Sequence, residues 1–112
     1  ITQPRPLQLA EQLNAPSTTT GQFIDQTAQL SRWLHQAEQR RRGDDWEGAI
    51  ALFTKVWQRT GNPAVANNLA ASLMQLGRWS EAEKILAKAL QRAPGDQDLQ
   101  QNLRVAQQLA KK

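Results

Sequence analysis

The 112-residue chain is long enough for one domain, and a hydrophobic content of 39% provides for a small core. With no Cys, it excludes a disulfide framework, Cys-ligated zinc and thiol catalysis, and fits a reducing or an oxidising compartment equally. A net charge of +4 admits nucleic acid or acidic partners, but the 14 cations run from Arg5 to Lys112 among 10 acids. Aromatics are only 5% with no Tyr, so base stacking has little to work with and nucleic acid is disfavoured. No apolar run reaches the roughly 18 residues of a membrane span, and no signal peptide is visible. The chain begins at Ile1 rather than Met, as a processed chain would, so a targeting or membrane segment could have been removed.

Residues 1–21 read as a tail or linker. Two prolines disfavour helix at its start, but PLQLAEQL over 6–13 has an apolar side in Leu7, Leu9, Ala10 and Leu13. APSTTTG then breaks the chain. A helix is expected from Gln22 to Arg42, with Thr20 as its N-cap and Phe23, Thr27, Leu30, Leu34 and Ala37 on one face. Gly43 suits the left-handed position beyond its end. A second helix is expected over Asp45–Arg59, burying Ala49, Leu52, Phe53, Val56 and Trp57 and stopped by Thr60-Gly61-Asn62-Pro63. A third spans Ala64–Leu76 and ends at Gly77. A fourth spans Ser80–Arg92, opened by a capping box of Ser80 and Glu83 and buried through Ala82, Ile85, Leu86, Ala89 and Leu90. After Pro94-Gly95 a last helix runs from Asp96 or Gln97 to Ala110, with Leu99, Leu103, Ala106, Leu109 and Ala110 on its apolar side. No stretch alternates as a strand does, so the fold class is all-α, in antiparallel hairpins.

No catalytic set is present. His35 is the only His, and its helix offers it only Glu38 nearby. Asp44 and Asp45 sit at a helix start, where the macrodipole favours acids. There is no strand for a phosphate loop to follow. The chain reads as a non-enzyme with no cofactor and no metal. The run Arg40-Arg41-Arg42 is either an anion site or the cationic compensation expected at a helix C-terminus, the second being favoured. Trp46, Trp57 and Trp79 read as core residues, and Trp33 as the tryptophan most exposed.

Trp46 and Trp79, Ala49 and Ala82, and Val56 and Ala89 are each 33 residues apart, a period that marks a repeat protein. Residues 63–96 resemble a tetratricopeptide repeat through Leu69, Ala70, Gly77, Trp79, Ala82, Leu86, Ala89 and Pro94. Residues 30–62 resemble a divergent copy through Trp33, Ala37, Trp46, Ala49 and Phe53, and depart at Gln36, Arg40, Val56 and Gly61. Residues 97–112 resemble a capping first helix. The resemblance covers residues 22–112 and implies a short right-handed solenoid of about five helices. Two repeats and a cap are short for independent stability. The first helix, the N-terminal tail or a second copy of the chain would have to cover the open ends.

The resemblance also implies peptide or protein binding on a concave face lined by the first helix of each pair. On this chain that face would comprise Ser31, Leu34, His35, Glu38, Arg41 and Arg42. Ala64, Asn67, Asn68, Ala71, Met74 and Gln75 would follow, then Gln101, Asn102 and Val105. Asn68 is the residue best suited to hold an extended peptide, since its amide both donates and accepts. The carboxylate clamp of some family members is broken here by Leu34, Glu38 and Asp98. The expected function is a scaffold or adaptor gripping another protein. The other reading is a homo-oligomeric structural subunit that self-associates through its open ends. The 16 glutamines with no Tyr resemble bacterial repeat proteins of envelope, pilus or secretion assemblies, in the cytoplasm or periplasm.

Overall fold

The computed structural model describes residues 17–111, with side chains from Gln26 onward. The short helix expected over 6–13 and the side chain of Phe23 lie outside the described residues. The described residues form five helices and no strand: α1 (Ser17–Arg42), α2 (Trp46–Thr60), α3 (Pro63–Gln75), α4 (Trp79–Arg92) and α5 (Gln97–Ala110). The chain divides between Arg32 and Trp33 into two units. In the first, residues 17–32 are the opening turns of α1, where Gln26, Thr27, Gln29, Ser31 and Arg32 are exposed. Thr27 is therefore not on a buried stripe. The helix starts at Ser17, ahead of the expected Gln22. Ser and Thr are tolerated in a first turn, so STTT opens the helix instead of breaking the chain, and Thr20 lies inside it.

In the second unit α2 packs on α3, α3 on α4 and α4 on α5, and α3 also meets α5. Connections of two to four residues leave each helix antiparallel to the next. Alanine makes this closeness possible. Ala37, Ala49, Ala66, Ala70, Ala82, Ala89 and Ala106 are all 0% exposed, so backbones approach over a single methyl group. Phe53, Val56, Leu69, Leu86 and Leu99 fill the space between these contacts. The buried hydroxyl of Ser72 donates to the Asn68 carbonyl at 3.1 Å, so no polar group is left unpaired there.

Several expected stripes are narrower than their periodicity implies. Leu52, Trp57, Ile85, Leu90, Leu103, Leu109 and Ala110 are half-buried. Trp46, Trp57 and Trp79 are also half-buried, as Trp33 is, so none belongs to the fully buried core. An indole is large and is rarely enclosed completely.

The turns use two solutions. After α1 the Asp45 N–H bonds the Arg40 carbonyl and the Asp44 N–H the Arg41 carbonyl, with Asp44 at φ 62°. Asp44, not Gly43, takes the left-handed position, because aspartate is one of the few side chains that tolerates it. After α3 the same pair of bonds runs from Arg78 to Leu73 and from Gly77 to Met74, with Gly77 at φ 74°. Asp45, Asn62 and Asp96 cap α2, α3 and α5 with side-chain oxygens. The capping box expected at Ser80 and Glu83 does not form. Helix α4 begins one residue earlier, at Trp79, and Arg78 is its N-cap without a side-chain bond to the backbone. The Arg78 guanidinium instead grips Glu81 through two hydrogen bonds of 2.8 and 2.7 Å.

Candidate functional site

The expected binding residues fall on the C-terminal turns of α1, on α3 and on α5. On α1, Leu34, Glu38 and Arg41 are half-buried, while His35 and Arg42 are exposed. Arg41 donates to Glu38 Oε1 from Nη2 at 2.7 Å and from Nε at 3.2 Å. That hydrogen bond, and then the opposite charge, raises the Arg41 pKa, so the cation is fixed and already partnered. Among the described residues, Arg42 is the arginine of this run that forms no ion pair.

On α3, Asn67, Asn68, Ala71 and Met74 are half-buried and Gln75 is exposed. They share the side of the helix left by its buried residues Val65, Ala66, Leu69, Ala70, Ser72 and Leu73. The structure brings Asn67 and Asn102 together: Asn102 Nδ2 donates to Asn67 Oδ1 at 2.7 Å, between α5 and α3. The bond uses one N–H and one carbonyl lone pair, so the pair keeps one wholly uncommitted NH2 and one wholly uncommitted carbonyl, whichever way the two are turned. Of the remaining expected residues, Ala64 and Gln101 are exposed, Val105 is half-buried, and Ser31 lies in the first unit. No hydrogen bond or ion pair among the described residues joins the α1 members to the α3 members.

The opposite side of α3 carries a second feature, which the periodicity did not single out. Helices α2 and α4 flank α3 and are tied to each other at both ends by arginines. Arg78 Nη1 lies 3.4 Å from Glu47 Oε1 at one end, and Arg92 Nη1 donates to the Gly61 carbonyl at 3.2 Å at the other. Between these ties lie two adjoining open depressions of about 490 and 560 Å³. Trp57, Gln58 and Lys88 line both. The sequence signal was present as Lys84, Lys88 and Arg92 at every fourth position, but a polar helix face shows such spacing whether or not a groove lies beside it.

A family model of the tetratricopeptide repeat matches residues 41–107, more than half of the chain. The chain belongs to the tetratricopeptide repeat family. The match runs from the last turn of α1 into α5 and takes in the 33-residue pairs and the buried alanines from Ala49 to Ala106. No curated protein and no solved structure matches the chain. Tetratricopeptide repeats are in general protein–protein interaction modules. Among the described residues no helix is long and apolar enough to cross a membrane, and no group of acids and histidines could hold a metal ion.

Proposed function

We infer that this tetratricopeptide repeat chain is a non-catalytic adaptor that takes a segment of a partner protein across the face formed by the end of α1, α3 and α5. The Asn67–Asn102 bond carries the reading. It holds two half-buried amides side by side, with N–H donors and carbonyl lone pairs left over, the complement of a peptide unit in an extended segment. Asn68 adds a third amide one residue along, and Ala71 leaves room for the backbone to come close. The pairing of Arg41 with Glu38 leaves this face without a strong net charge, so recognition here rests on main-chain bonding and shape.

Selection of displayed random peptides on the immobilised full chain tests the reading. Peptides recovered on the wild type should lose binding to an Asn68→Ala, Ala71→Arg variant whose helicity and urea midpoint are unchanged. Recovery of none that depend on these residues, together with a solution mass that rises with concentration, would replace the adaptor by the self-associating subunit. The half-buried Leu103, Val105 and Leu109 of α5 would then be its first candidates for contact.

A further inference from the structure

We propose that the groove between α2 and α4 is a second docking site, and that it takes a short acidic segment of a partner protein carrying an apolar anchor. The floor is apolar: Leu69 and Leu73 of α3 and Ile50 of α2 are buried beneath it, while Trp57 and Ile85 stand half-buried as its walls. The rim is cationic. Together the two depressions are lined by Arg59, Arg78, Lys84, Lys88 and Arg92 and by one carboxylate, Glu81. This small patch therefore holds the same excess of four positive charges as the whole chain.

Most of these cations have work inside the fold. Arg78 is engaged with Glu81 and Glu47. Arg92 donates to the Gly61 carbonyl, and Arg59 donates to the Lys55 carbonyl while its guanidinium carbon lies 4.9 Å from the Trp33 ring centre. Both arginines also suit the negative ends of their helices. Lys84 and Lys88 are different. They lie in the middle of α4, away from the helix end, are exposed, and form no ion pair among the described residues. Their one acidic neighbour in the groove, Glu81, is hydrogen-bonded by Arg78, which chiefly draws its carboxyl below the ordinary range, with a smaller contribution from the charge of Lys84. Lys88, without an acidic partner among the described residues, and Lys84, which only shares Glu81 with Arg78, stand above an apolar floor and favour carboxylates that arrive together with an apolar side chain.

The dimensions narrow the occupant further. From Arg78 to Arg92 the α4 wall is about 21 Å long at 1.5 Å per residue. An extended segment of about six residues spans that length. Lys84 and Lys88 are about 6 Å apart along the axis, close to the roughly 6.6 Å between alternate side chains of an extended strand. The segment that fits has acids at alternate positions and an aliphatic or aromatic residue beside them. The arginine ties close the groove at both ends, so it suits a short segment and not a long polymer.

The test uses the full chain and a displayed library of random dodecapeptides, with oligothymidylate and phosphatidylserine vesicles as competing anions. Acidic peptides with an apolar residue among their carboxylates should be recovered. Their affinity should fall about tenfold in Lys88→Glu, the loss expected for one charge-assisted contact. It should survive in Lys88→Arg, weaken with salt, and fall again when the apolar residue of the peptide becomes serine. Asn68→Ala should leave it unchanged, which separates this site from the α3–α5 face: either can fail without the other. The proposal is overturned if no such peptides are recovered or if they are indifferent to Lys88→Glu. It is overturned equally if oligothymidylate or the vesicles bind more tightly than any peptide with the same dependence on Lys88, for the groove would then be an anion patch.

Discussion

In the turn between α1 and α2, Asp44 takes the left-handed conformation and Asp45 caps the next helix; 33 residues on, Gly77 and Arg78 hold those places. The two backbone bonds that close each turn are the same, Asp44 to Arg41 and Asp45 to Arg40 matching Gly77 to Met74 and Arg78 to Leu73. The charges are reversed. Asp45 accepts from the Gly48 N–H and from Arg40 of the preceding helix, whereas Arg78 donates to Glu81 of the following helix. Gly48 and Glu81 are themselves equivalent positions. A Cβ at Gly48 would run into the Asp45 carboxylate and the Arg40 side chain, so the small residue there belongs with the acidic cap. The period preserves the path of the backbone, and each repeat pairs its own side chains around it. This is why the first repeat looks divergent in sequence while its turn is built like the second.

The comparison can be broken first in the core. Phe53 and Leu86 are 33 residues apart and both 0% exposed. Phe53→Ala should cost about 3–5 kcal/mol and Leu86→Ala about 2–5 kcal/mol in urea unfolding. A loss under about 1 kcal/mol at either site would mean that its repeat is not packed as its equivalent is.

The turns give the next largest effects. Gly77→Ala should cost about 1–2 kcal/mol. Only the Trp79 Nε1 atom, at 3.8 Å, stands near the added methyl, so the cost is conformational and not steric. Asp44→Gly should act in the opposite sense and stabilise by less than about 1 kcal/mol, since relief of left-handed strain is partly offset by the freedom glycine adds to the unfolded chain. Two destabilising results would show that the Asp44 side chain contributes more than the turn explains.

The smallest effects are electrostatic and appear in acid. The Gly48 N–H chiefly, and Arg40 after it, draw the Asp45 pKa below its ordinary 3.8; the hydrogen bond from Arg78 draws Glu81 below its ordinary 4.5. Both groups bind protons more weakly folded than unfolded. Their contribution is therefore fully present above the ordinary values and is lost as pH falls through the lowered ones. Urea midpoints should fall below pH 4.5 and further below 3.8, and Glu81→Gln and Asp45→Asn should each flatten that fall. Identical pH profiles for wild type and both variants would remove these carboxylates from the account. Salt should shrink the Arg78–Glu81 effect, since that pair is exposed.

Much of the fold was legible because helix burial and repeat spacing are local patterns. Ala49, Ala82 and Ala89 mark the crossings, and α2 through α5 end within a residue or two of where the turn residues place them. What was missed depends on choices that local pattern leaves open. Gly43 and Asp44 are adjacent, and composition favours the glycine for the left-handed residue, but the bonds to Arg40 and Arg41 select the aspartate. Ser80 fits a cap, yet the turn from Leu73 to Arg78 starts the helix one residue before it. Asn67, Asn68 and Asn102 stand out in the sequence as amides at repeat positions, but the bond between Asn67 and Asn102 joins two helices, which no local pattern shows. The groove beside Lys84 and Lys88 was illegible for a like reason. It exists only because α2 and α4 flank α3, and Trp57, which reads as core, stands at its wall.

The adaptor reading places a partner segment across α3 and α5, held by their amides. Amide chemical-shift mapping tests it most directly, on the full chain titrated with a peptide selected on the wild type and lost on the Asn68→Ala, Ala71→Arg variant. The largest shifts should fall at Asn67, Asn68, Ala71, Met74 and Asn102, with the side-chain amides of Asn67 and Asn102 moving together. Shifts confined to other helices, or shifts that track protein concentration without any peptide, would contradict it.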